Sequence, residues 1–313
     1  MGFFSVFSRM LLLLAALVLA WPGGVQAAKP KSQQAWEDEE DRRVQLSVET
    51  ALYKQPALLA QQLNALKASD PKHVNMYFIG VAGDGEQEVF RREIEYVKRE
   101  FDEQHGTQGR SVVLANSRSS VERLPMATVT SIRESLKAVA ARMDKSRDIL
   151  FLYLTSHGSP DHVLALEQEG MFLRGLGAKE LADLLKESGI RWKVVVVGAC
   201  YSGGFLTPLK EDHTIVITAS RPDRSSFGCQ DENDFTYFGR AFFKDALPAS
   251  SSLSDAFETA RKLVRQRETQ LFGHSRKQAR AYSEPQMYEP PEARHYLAQW
   301  WLGSKQPAEQ RAP

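Results

Sequence analysis

"RWKVVVVGACYSGG", residues 191–204, contains four consecutive valines that run into a small-residue turn at Cys200. A strand with one wet face alternates apolar and polar residues, and this run does not alternate. Continuous β-branched residues closed by glycine therefore indicate a strand buried on both faces, the habit of parallel sheets covered by helices. "RDILFLYLTSHGS" (147–159) repeats the pattern and ends at His157. Between the two runs, "HVLALEQEGMFLRGL" (162–176) is expected to be a hairpin with Glu169 and Gly170 at its tip. "GAKELADLLKESG" (177–189) is expected to be a helix closed by Gly189.

The rest of the chain continues the alternation. Strands are expected at 73–83, 110–116 and 213–220, and helices at 88–104, 128–144, 235–247 and 252–270. The predicted class is α/β, a three-layer sandwich with a mainly parallel central sheet and helices on both faces. Residues 45–67 have helical spacing interrupted at Pro56 and are predicted to form a helical preamble, preceded by a mobile, polar leader. The division expected is a signal peptide at 1–27, leader and preamble at 28–70, one large domain at 71–302, and a disordered tail at 303–313.

Residues 1–27 carry one cation, Arg9, then the ten-residue apolar core "LLLLAALVLA" and a small-x-small site at Val25 and Ala27. That is the layout of a secretory signal and is short for a membrane span. The expectation is release to the periplasm or medium, in preference to an uncleaved anchor. The formal net charge of +1 over 313 residues gives no reason to expect nucleic acid or stable membrane insertion. Oligomeric state is left open.

His157 and Cys200 each stand just past a predicted strand, and parallel neighbours bring such ends to one edge of the sheet. A thiol is mostly protonated at neutral pH, and an imidazole beside it can take the proton and release a nucleophile. Gly158 lets a backbone N–H approach an oxyanion, so the N–H groups of Gly158 and Cys200 are the candidate oxyanion hole. Gly203 and Gly204 are read as permitting the sharp turn beyond Cys200. His162 follows His157 closely, but no carboxylate or cysteine set with zinc spacing accompanies it, so neither metal nor organic cofactor is expected. The two cysteines, Cys200 and Cys229, lack C-x-x-C spacing, which argues against a thiol redox protein.

"YLTSHGSPDHVLAL", "VVVVGACYSGGF" and "ITASRPDRSSFGC" together resemble the legumain-type cysteine peptidases, the C13 family. The resemblance covers residues 73–247. It implies a caspase-like sandwich acting on a protein or peptide substrate, with His157 as general base and acid and Cys200 as nucleophile. Two cysteines in an exported protein could pair, Cys200 with Cys229; the resemblance implies free thiols instead, since the family carries a cysteine at the position of Cys229 without a bridge. Ser226 and Phe227 would belong to the strand that pairs with substrate backbone. The family includes a transamidase, so acyl transfer to an amine is an alternative to hydrolysis; a silent peptide-binding member is another. In legumains a pocket mixing arginine and acids selects asparagine. Here the acid position two residues before the nucleophile is Gly198, while Arg91 and Arg240 fall at pocket positions. Two cations without a carboxylate would favour an asparagine, aspartate or other acidic or polar P1 side chain.

Overall fold

The computed structural model describes residues 33–273 and 281–304. The chain divides into two compact units, Met1–Asp41 and Arg42–Pro313. The expected signal peptide lies outside the described residues, as does 305–313 of the expected tail.

Six strands form one sheet in the order β2-β1-β3-β6-β7-β8: β1 (Met76–Ala82), β2 (Ser111–Ala115), β3 (Ile149–Thr155), β6 (Trp192–Gly198), β7 (Thr214–Thr218) and β8 (Gln286–Tyr288). All neighbours are parallel except β7 and β8. Every residue of β1, β3, β6 and β7 is buried, as their unbroken apolar runs require. Alternate residues of each strand enter opposite layers. Phe78, Phe151, Tyr153, Val194 and Val196 pack with α2 (Val89–Gln104), α7 (Leu253–Phe272) and α8 (Pro291–Ser304). Tyr77, Ile79, Leu152, Val195 and Val197 pack with α3 (Val129–Arg142) and α4 (Ala178–Ser188). The expected three layers and mainly parallel sheet are thus present.

The hairpin between β3 and α4 is built from β4 (Val163–Leu164) and β5 (Leu176–Gly177), which pair antiparallel, with a Gln168–Met171 bridge near its tip. The stretch expected as one helix at 235–247 is a composite. It comprises a short turn, α6 (Tyr237–Gly239), a π-helical segment at Arg240–Ala246 and a 3₁₀ turn at Leu247–Ala249. The wider π turn buries the consecutive rings Phe242 and Phe243, which meet edge to face at 4.9 Å.

The N-terminal region differs from expectation. A single helix, α1, spans Gln33–Asn64 with Pro56 inside it, so the predicted leader is helical from residue 33. Two glutamines hold this helix on both sides of the proline. The Gln55 side chain donates to the Val121 carbonyl and accepts from Met126 N–H, both at 2.6 Å. The Gln62 amide accepts from Val113 N–H at 2.9 Å and donates to its carbonyl at 3.2 Å. Val113 lies on the edge strand β2, so Gln62 satisfies an edge pair that a second chain could otherwise engage.

Candidate active site

Strand register builds the site. Thr155 at the end of β3 pairs with Gly198 at the end of β6, and with Ala82 at the end of β1. His157, Cys200 and Asp84 each lie two residues beyond that shared level, on adjacent parallel strands. Gly158 packs directly on the Cys200 backbone, since a Cβ there would sit 2.2 Å from the Cys200 carbonyl oxygen. Replacing Gly158 with alanine must therefore move one strand end against the other. The expected cost is about 1–3 kcal/mol of stability and on the order of 10²-fold in reactivity of the Cys200 thiol. Thermal melting and the rate of Cys200 alkylation measure the two effects.

The imidazole of His157 is half-buried and held on two sides. Its Nε2 hydrogen-bonds Gln87 Oε1 at 2.5 Å, and the Phe90 ring meets it edge to face at 5.2 Å. Gln87 and Phe90 come from the β1–α2 segment, and sequence reasoning did not single out either. The amide oxygen of Gln87 accepts and cannot donate, so it places the proton on Nε2 and leaves the Nδ1 lone pair available.

Cys200 is half-buried, and its Sγ meets the backbone of Ser226, accepting from the N–H at 3.3 Å and lying 3.5 Å from the carbonyl oxygen. The sharp turn after Cys200 is made by Tyr201, at φ +57°, and not by the glycines expected to make it. Gly203 and Gly204 serve close approach instead. A Cβ on Gly203 would meet Pro222 N at 2.5 Å, and one on Gly204 would meet the His162 ring at 2.0 Å. His162 also hydrogen-bonds the Tyr201 carbonyl through Nδ1 at 3.2 Å, which ties the hairpin to the turn. Ser202 and Ser220 bond each other by hydroxyl and backbone, sewing the turn to the end of β7.

The remaining predicted residues divide. Ser226 touches the thiol, whereas the Phe227 ring packs on Phe272 at 4.9 Å. Arg91 is held on its own helix by Glu88 at 2.7 Å and Glu95 at 2.6 Å. Glu88 is bound tightly in turn: burial opposes its charge, but hydrogen bonds from Ser117, Arg91 and Ser119 outweigh that and hold it down at about 2. Arg240 is largely exposed, 3.5 Å from Asp245, and faces a separate cleft of about 500 Å³ between residues 232–235 and α7. The expected pair of unopposed cations is therefore not formed, because each arginine has a carboxylate within 3.5 Å. Carboxylates are what gather at the strand ends. Asp84 is 2% exposed and accepts from Glu86 N–H at 2.8 Å, and Glu167 bridges Asp84 through the backbone.

Both cysteines are unbridged. Burial, and then the neighbouring Cys200 charge, pushes the Cys229 thiol up, which disfavours its thiolate.

Beneath the two strand ends sits a fully buried carboxyl, Glu93 of α2. It accepts from the Tyr153 hydroxyl, from the Thr155 hydroxyl at 2.9 Å, and from the Thr236 N–H and hydroxyl at 2.8 and 3.0 Å. Burial outweighs these bonds and raises its pKa. A Cβ on Gly198 would point at the Tyr153 hydroxyl, 3.0 Å away. Glu93 and its partners thus fill the space under the position where the resemblance places an acid. Its signal was present in the sequence: Glu93 falls on the apolar stripe Val89, Phe90, Ile94, Val97, Phe101 of an otherwise charged helix.

Among curated proteins none matches the chain. Of solved structures, a crystal structure of caspase-1 from Spodoptera frugiperda is similar at 13% identity and a TM-score of 0.45, covering 69% of this chain and 86% of that one. The profile of the Peptidase C13 family matches residues 128–287. That match exceeds half of the chain and takes in His157, Cys200 and the segment carrying Ser226, and the chain accordingly belongs to the peptidase C13 family.

Proposed function

We propose that this protein is a cysteine endopeptidase in which His157 and Cys200 do the chemistry. The observation that carries the reading is the register: the imidazole and the thiol stand at one level past adjacent parallel strands, with Gly158 and Cys200 in backbone contact. In the proposed reaction the thiol proton passes to His157 Nδ1, and the imidazolium that forms keeps its Nε2–H on Gln87. The thiolate attacks the scissile carbonyl carbon. A C–S bond forms, and the oxyanion is met by the N–H groups of Gly158 and Cys200. The C–N bond then breaks as the imidazolium gives its proton to the leaving nitrogen. Water, deprotonated by His157, attacks the thioester and restores the thiol.

Ser226 is placed to pair with the acyl-side backbone once its N–H and carbonyl turn from the thiol to a peptide. With Arg91 and Arg240 ion-paired, a neutral polar P1 side chain such as asparagine suits the acyl side better than an acidic one. Export belongs to the same reading, through the signal-like residues 1–27, with the enzyme acting in the periplasm or medium. No described helix is long and apolar enough to cross a membrane.

The test is labelling by a thiol-directed peptidyl probe with asparagine at P1. Cys200 is the expected adduct, and His157→Ala slows its formation by about 10²–10⁴-fold. Modification of Cys229 in place of Cys200, or labelling of Cys200 indifferent to His157→Ala, defeats the proposal.

A further inference from the structure

We propose that the cleft between residues 85–87 and 167–173 receives the leaving-group side of a peptide substrate and selects a lysine or arginine there. This rests on the reading of His157 and Cys200 as the reacting pair and adds a substrate class to it.

Position comes first. The sheet runs β1, β3, β6, β7, so the strand ends present Asp84, His157, Cys200 and the segment leading to Ser226 in that order. Ser226 stands on one side of the thiol and His157 on the other. The imidazole delivers its proton to the departing nitrogen, so the departing chain continues past His157, toward the end of β1. The chain leaves β1 for α2 in one layer and leaves β3 for the hairpin and α4, with α4 in the other layer. Loops that part to opposite faces of a parallel sheet leave a crevice between them, the general ligand position in such folds.

That crevice is formed. Its volume is about 720 Å³, within the range of binding sites for small ligands and side chains. Its base is backbone pairing: Gly85 N–H donates to the Glu167 carbonyl at 2.9 Å, and Glu167 N–H donates to the Gly83 carbonyl at 2.8 Å. Gln87 lines it and bonds His157, so one residue joins the cleft to the reacting pair.

Chemistry selects the occupant. Two carboxylates, Glu86 and Glu167, line the cleft, and among the described residues no cation pairs with either. The other charges present are already met. Arg118 donates to the Glu86 carbonyl at 3.1 Å and Asp231 at 3.2 Å, and Glu169 lies 3.6 Å from Arg43. Burial, then the nearby charges of Asp84 and Glu86, raise the Glu167 pKa, with His157 acting in the opposite sense; a bound cation would relieve that repulsion. Met171, Leu173 and the fully exposed Phe172 supply an apolar rim suited to the methylene stem of a lysine or arginine.

Two measurements test it. In the first, quenched peptides differ only in lysine, alanine or glutamate within the first three leaving-group positions. The lysine peptide is expected to be cleaved with a kcat/KM about tenfold above the alanine peptide, and the glutamate peptide to be slowest. The double variant Glu86→Gln/Glu167→Gln brings the three rates together. Equal rates for lysine and glutamate in the native enzyme, or a preference that survives in the double variant, overturn the proposal. The second needs no turnover. Fluorescence anisotropy on the Cys200→Ala protein compares a labelled tetrapeptide amide with lysine at its second position against its glutamate counterpart. Tighter, salt-sensitive binding of the lysine peptide that the double variant loses supports the cleft assignment even if no peptide is hydrolysed. Indistinguishable binding of the two peptides refutes it, whatever the enzyme assay gives.

Discussion

Replacing Cys200 with serine leaves a folded protein whose peptide hydrolysis falls by at least about 10⁴-fold. The substitution removes one property while keeping shape: a hydroxyl is far harder to ionise, and a weaker nucleophile, than a thiol. The melting temperature is expected to move by no more than about 2 °C, because the side chain is half-buried and its neighbours are backbone groups of Ser226 that a hydroxyl also satisfies. His157→Ala should produce a loss of comparable size. The double variant should be no worse than the more damaged single, since base and nucleophile act as one unit and their effects do not add. Steady-state kinetics on the three proteins reads this directly. Turnover in Cys200→Ser within tenfold of the native rate would move the nucleophile elsewhere. Additive losses would separate His157 from the thiol and leave the register argument without chemistry.

How far the sequence reveals this arrangement depends on how local each cause is. The valine run of β6 and the apolar run of β3 carry their burial in their own composition, and the glycine, His157 and Cys200 that end them mark strand ends without help from the rest of the chain. The layers, and the placing of His157 and Cys200 at one level past neighbouring strands, follow. What escapes is set by partners distant in sequence. Gln87 meets His157 across seventy residues, and nothing in "GDGEQEVF" announces it. Arg91 looks like a free pocket cation until Glu88 and Glu95, one turn to either side, are seen to hold it. Both pairs are legible in the sequence as i,i+3 and i,i+4 neighbours. Pro56 reads as a helix end because proline lacks a donor and crowds the preceding turn. The helix continues because Gln55 and Gln62 fix it to residues fifty and more positions away. β8 has three residues and no periodicity of its own, so only β7 beside it defines it.

Glu93→Ala is expected to destabilise the protein by about 3–5 kcal/mol, roughly 10 °C in melting temperature. Four donors converge on this carboxyl from two places: Tyr153 and Thr155 of β3, and the Thr236 backbone and hydroxyl at the start of α6. Truncation strands those donors in a dry core and opens a cavity against Gly239, whose Cβ position is only 2.0 Å from Glu93 Oε2. Glu93→Gln keeps the shape, keeps an oxygen for the Thr236 N–H, and turns its amide hydrogens toward hydroxyls that can rotate to accept. Its cost should be about 1 kcal/mol. Acidity separates the two forms further. The pKa of Glu93 in the folded protein is raised above the ordinary 4.5, so its contribution is greatest below that value and is lost as pH rises through the folded pKa. The melting temperature of the native protein relative to Glu93→Gln should therefore fall as pH increases from about 4.5. A difference that stays flat over that range, or grows with pH, would mean that the carboxyl is ionised throughout. Thr155 and Gly198 are the last paired residues before His157 and Cys200, so the same network underlies both strand ends. Glu93→Ala should accordingly slow Cys200 labelling even at temperatures where the variant remains folded.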